Sequence, residues 1–123
     1  MTEEPVYTVQ QANDLLPFLA PTLVELREKF EEAALIRKKM ATASRSNGWS
    51  TARDEWTSKL ARVDELMDRM NGWGIQLRDI TTGLVDFPGL RDGEEIWLCW
   101  RLGEPEVAYW HRRTEGFDRR EPL

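Results

Sequence analysis

The spacing of apolar positions changes partway along the chain, from a helical three-four repeat to a strand-like alternation. The change divides the sequence near residue 72. At the start, Thr8-Val9-Gln10-Gln11 has the form of a capping box, with Gln11 placed to reach back to the Thr8 amide. Val9, Ala12, Leu15 and Leu16 then predict a short amphipathic helix, and Pro17, which has no N–H and crowds the preceding turn, is expected to end or kink it. A long helix follows from about Phe18 to about Ala43, with Pro21 tolerated in its first turn. Its stripe is Leu16, Leu19, Leu23, Leu26, Phe30, Ala33 and Met40, with Glu25 and Lys29 pairing on the wet face. The segment Thr42 to Ser50 is rich in turn residues and breaks the pattern. A second long helix, capped by Ser50 or Thr51, carries Trp56, Leu60, Val63, Met67 and Met70 on one stripe and Glu55–Lys59 and Glu65–Arg69 on the other side. Asn71-Gly72 ends it. An antiparallel αα-hairpin is the simplest arrangement, and Leu35, Ile36 and Leu66 widen its apolar face enough to cover a sheet or meet a second copy.

The second half alternates. Ile75–Asp79 and Leu84–Phe87 predict short strands around Thr81-Thr82-Gly83, and Asp92-Gly93 is a hairpin turn signal. From Glu94 to His111, EEIWLCWRLGEPEVAYWH predicts a single β-hairpin folded about a two-residue turn at Gly103-Glu104. That register sets Arg101 opposite Glu106 and Glu95 opposite Arg112. It also sets Trp97 opposite Trp110, Cys99 opposite Ala108, and Leu98 opposite Tyr109. Leu77, Val85, Phe87, Leu98, Trp100, Val107, Tyr109 and His111 then face the helices. Arg78, Leu84, Asp86, Trp97, Cys99, Arg101, Glu106, Ala108 and Trp110 face away. The expected fold is α+β: a short N-terminal helix, then a long antiparallel αα-hairpin, packed on a four-stranded antiparallel β-meander. Residues 1–123 are read as a single domain, with a helical half (1–72), the meander (73–112) and an irregular tail (113–123).

Composition narrows the function without naming it. A formal net charge of −5 gives no long-range field toward nucleic acid or anionic lipid. A single cysteine, Cys99, excludes an internal disulfide and a multi-cysteine metal site, and suits a reducing compartment. The acidic start MTEEPVYT is not a signal peptide, and no apolar run approaches the ~20 residues needed to span a bilayer, so a cytoplasmic protein is expected.

Three blocks carry a resemblance: YTVQQANDLLPFL at the start, GIQLRDITTGLVDFP in the middle, and IWLCWRLGEPEVAYWH followed by GF and a terminal EPL. Together they resemble an uncharacterised bacterial domain-of-unknown-function family (DUF2203). The resemblance implies a small cytosolic protein of this fold and carries no catalytic residue over.

The candidate binding patch is the polar cluster on the outer sheet face: Arg78, Asp86, Trp97, Arg101, Glu106 and Trp110, with the two indoles as rigid anchors and the charges as handles. A solvated face whose charge pairs only fix strand register accounts for the same residues, each pair contributing ~0.2–1 kcal/mol. No catalytic residue and no cofactor are assigned, and no metal site is expected. His111 and Glu104 are the residues to consider for one, but the predicted alternation puts His111 on the opposite face from Asp86 and Glu106. Cys99, mid-strand, reads as a small packed side chain. The expected role is a non-enzymatic interaction or assembly module that pairs with itself, as a homodimer or higher, or with another protein. The alternatives are a metal-binding or small-ligand-binding protein or enzyme using Asp86, Glu104, Glu106 and His111, and weak RNA binding by a tail in which Arg112, Arg113, Arg119 and Arg120 interleave with Trp110 and Phe117.

Overall fold

The computed structural model describes residues 6–42 and 48–123. It is an α+β structure of two long helices and one antiparallel sheet. The first helix, α1, runs unbroken from Val9 to Thr42. Its capping box forms as expected: the Thr8 amide donates to Gln11 Oε1 at 2.9 Å, and the Gln11 amide donates to Thr8 Oγ1 at 3.1 Å. Pro17 and Pro21 both lie inside α1, so the expected division into a short helix and a long one does not occur. A proline inside a helix costs about 3 kcal/mol. Against that stand Ala12, Leu19, Leu23 and Leu26, all buried in the core. Each buried leucine contributes about 1.5–3 kcal/mol, so the apolar stripe that bridges the prolines outweighs them. The proline rings themselves are exposed.

The second helix, α2, spans Trp49–Gly72, so Ser50 and Thr51 lie inside it and the residue before it is Gly48, without a side-chain cap. Most of the turn expected over Thr42–Ser50 falls outside the described residues, as does much of the lead-in before Tyr7. The two helices form the expected antiparallel hairpin, and ion pairs join them across the seam as well as within each helix. Arg62 donates two bonds to the Glu25 carboxylate, at 2.6 and 2.8 Å, and Lys59 reaches Glu32 at 2.8 Å. Leu66, placed beside the expected stripe, is fully buried, whereas Phe30, placed on it, is 47% exposed.

The sheet has five strands in sequence order, one more than expected: β1 (Gln76–Asp79), β2 (Leu84–Arg91), β3 (Glu94–Arg101), β4 (Tyr109–Arg112) and β5 (Glu121–Pro122). The extra strand comes from the tail, which is not irregular: a short 3-10 turn at Phe117–Arg119 returns the chain to pair along β4. Between β2 and β3 the turn is Asp92-Gly93, with φ of 51° and 79°. Positive φ at both central residues is the type I′ geometry that matches the right-handed twist of paired strands.

The β3–β4 register differs from the expected one by one residue. Ile96 pairs with Arg112, Trp97 with His111, Leu98 with Trp110 and Cys99 with Tyr109. The connection is a loop over residues 102–108, longer than a two-residue turn, in which the Glu104 amide donates to Arg101 O. Asn13 on α1 pins this loop by accepting the Val107 amide at 2.7 Å. Energetics favour the observed pairing. The two charge pairs of the expected register are worth ~0.2–1 kcal/mol each. The observed one buries Trp110, 6% exposed, under the sheet, where an indole's burial contributes about 4–6 kcal/mol. That exceeds the ~1–3 kcal/mol cost of its Nε1–H, which is unpaired among the described residues. Trp110 therefore belongs to the core with Val85, Phe87, Ile96, Leu98, Trp100 and Val107, while Tyr109 and His111 turn to the outer face.

Candidate functional site

Because side chains alternate along a strand and align across it, the register decides which residues meet on the outer face. Asp86 on β2 pairs with Cys99 on β3, which pairs with Tyr109 on β4. One step along, Pro88, Trp97 and His111 form the neighbouring row. Asp86 and His111 sit diagonally, on strands two apart, and lean toward each other over the small side chain of Cys99. His111 Nε2 lies 3.0 and 3.1 Å from the two Asp86 carboxylate oxygens. Asp86, Cys99 and His111 are 2%, 1% and 3% exposed. This corrects the sequence expectation that His111 faces the helices, away from Asp86.

The other ring nitrogen, His111 Nδ1, is 2.9 Å from Arg112 O. Both nitrogens thus face oxygens that can only accept while Asp86 is ionised. The twice-protonated ring satisfies both contacts; the neutral ring satisfies one. Arg78 completes the pair's surroundings, donating from Nε to Asp86 Oδ2 at 2.9 Å. Burial, followed by the nearby Asp86 charge, pushes the Cys99 thiol up to about 12.

Above these residues opens a cavity of about 340 Å³, with Leu84, Arg113, Glu115 and Phe117 among its walls. Arg78 and Arg113 flank the Trp97 ring, with guanidinium carbons 4.9 and 3.8 Å from its centroid. Arg113 is fixed further by its Nε–H, which donates to Ile96 O at 3.1 Å. Trp97 is half-buried and already engaged by both guanidinium groups.

Of the six residues expected to form the patch, the structure gathers Arg78, Asp86 and Trp97. Trp110 is core. Glu106 is exposed on the 102–108 loop and does not pair with Arg101, whose guanidinium instead lies 5.3 Å from the Phe117 ring centroid. Glu95 is not opposite Arg112; it pairs with Leu90 on β2. Glu104 also stands apart from His111. Its carboxylate accepts the Arg101 amide at 2.7 Å and two bonds from Arg120, at 2.9 and 2.8 Å. Burial raises the Glu104 carboxyl, but Arg120 and the Arg101 amide together hold it below the usual carboxylate range. Arg120 also stacks on Tyr109 and Phe117, at 4.0 and 4.3 Å, so the tail is built into the sheet edge. Cys99 and Arg113, missed as site residues, had one signal in the sequence. Placing the larger apolar Trp110 inward sends His111 outward to join Cys99.

No described helix is long and apolar enough to cross a membrane. Fold and site together define a small α+β protein that covers one face of its sheet with a helical hairpin and opens a charged pocket on the other. The chain belongs to the DUF2203 family, an uncharacterised conserved protein family whose model matches residues 5–123. No curated protein and no solved structure matches it.

Proposed function

We propose that the protein is a ligand-binding module whose outer-face pocket takes a small molecule through a carboxylate or phosphate group. The observation that carries this reading is the convergence of two guanidinium groups, Arg78 and Arg113, and the Asp86-paired His111 on one cavity, in a chain of net charge −5. Guanidinium groups recognise planar oxyanions with paired hydrogen bonds, and the Trp97 face holds both in place at little further entropic cost. The Arg78 Nη atoms have no hydrogen-bond partner among the described residues. The test is titration with inorganic phosphate and with acetate, followed through tryptophan fluorescence. Saturable binding that weakens with salt and is lost in Arg113→Ala supports the reading. Absence of saturation, or equal affinity in Arg113→Ala, contradicts it.

A second reading, assembly with a second copy of the chain through the helical hairpin, is favoured by Phe30 and Leu35, 47% and 62% exposed on the far half of α1. Light scattering after size exclusion tests it. A dimer or larger that dissociates in Leu35→Glu is expected, and a monomer at high concentration removes it.

A further inference from the structure

We infer that Asp86, Cys99 and His111 form a binding site for a thiophilic divalent cation such as zinc, with the pocket supplying the remaining coordination position. Three adjacent strands contribute one ligand each, and the Asp86, Cys99 and His111 donor atoms all lie within 4.8 Å of one another. In tetrahedral zinc sites with bonds of about 2.0–2.3 Å, donor atoms stand roughly 3.3–3.7 Å apart. Zinc binding opens the Asp86–His111 contact from 3.0 Å by a few tenths of an ångström and draws the Cys99 sulfur inward from a cluster whose donor atoms span up to 4.8 Å. Carboxylate, imidazole and thiolate together are a donor set that zinc accepts.

The histidine is also held from its far side. His111 Nδ1–H donates to Arg112 O, which fixes the ring and aims Nε2 at Asp86. That is how metal-bound histidines are usually held, by a carbonyl or carboxylate on the far nitrogen. In the neutral ring, Nε2 aims a lone pair at the Asp86 carboxylate, a repulsion that a cation between them converts into two bonds. Burial of all three residues removes competing water, and the cavity above leaves one side open, as sites with an exchangeable ligand require. The identity of that ligand rests on the pocket reading above: an oxyanion held by Arg78 and Arg113 completes the coordination shell. The cation site itself does not depend on it.

The experiment uses the full chain stripped of metal by chelation, then titrated with zinc alone in an oxyanion-free buffer, and separately with cobalt(II) as a coloured substitute. One equivalent of zinc bound, together with a thiolate-to-cobalt charge-transfer band, supports the site. Cys99→Ser and Asp86→Asn, each checked for folding by circular dichroism, should weaken zinc on the order of 100-fold, and Cys99→Ser should abolish the band. No saturable zinc uptake by the wild type overturns the proposal, as does unchanged affinity in folded Cys99→Ser. Zinc binding without any binding of phosphate or acetate supports the cation site and removes only the oxyanion reading.

Discussion

Replacing His111 with alanine removes one partner of a hydrogen-bonded Asp86–His111 contact that is almost wholly out of water, since Asp86 and His111 are 2% and 3% exposed. The Asp86 carboxylate keeps the bond from Arg78, whose side chain is 41% exposed and so delivers a partly screened charge, and the neighbouring Cys99 thiol. Breaking a buried pair from one side costs about 3–5 kcal/mol, because the remaining charge is left desolvated. At ~2.1 cal/mol/K of unfolding entropy per residue, a chain of 123 residues should lose about 12–19 °C in melting temperature. Urea unfolding followed by tryptophan fluorescence, with chelator present so that metal does not enter, measures the loss directly. The double variant Asp86→Ala/His111→Ala should lose less than the two single losses summed, with a coupling of about 0.5–3 kcal/mol. A loss below about 1 kcal/mol in His111→Ala, or strict additivity, refutes the buried pair.

Other consequences follow from single contacts. With its thiol pushed up to about 12, Cys99 should hold thiolate at a fraction on the order of 10⁻⁴ near pH 8; iodoacetamide should label the metal-free native protein very slowly and the unfolded chain readily. Glu104 is held below its ordinary value in the fold, so its contribution to stability is present above the unfolded value and is lost as pH falls through the folded one. Wild type should therefore exceed Glu104→Gln in urea midpoint at neutral pH and lose that lead under acid. At Gly83, φ is +68° and an added Cβ would stand 2.6 Å from Leu102 Cβ, so Gly83→Ala should cost roughly 1–3 kcal/mol in urea unfolding. Pro21→Ala, at an exposed position inside α1, should instead stabilise by about 1–3 kcal/mol, reduced by the greater freedom it gives the unfolded chain.

Some local chemistry was legible in the sequence because its cause was local, although the α2 start was misplaced at Ser50 or Thr51. The Thr8–Gln11 capping box formed because both partners lie within one turn, and Asp92-Gly93 made its turn because glycine accepts the positive φ that follows Asp92. The alternation along β3 also placed Trp97 and Trp100 on opposite sides of the sheet. Pairing between β3 and β4 was not legible, because a loop pinned by Asn13 from the far end of the sequence sets it. Counting back from a two-residue turn moved every residue of β4 to the wrong face, which hid the site by separating His111 from Asp86. The helix through Pro17 and Pro21 and the strand in the tail share this origin. Each is held by distant partners, the buried core in one case and the Glu104–Arg120 pair with β4 in the other.

Everything proposed for the outer face depends on which side of the sheet the only imidazole occupies. Nuclear Overhauser contacts from the His111 ring protons decide it in one spectrum. The account predicts cross-peaks to the Cβ protons of Cys99, whose sulfur lies within 4.8 Å of the ring nitrogen. Cross-peaks instead to Leu98, Val85 or Phe87 would put the ring among the core side chains and contradict it.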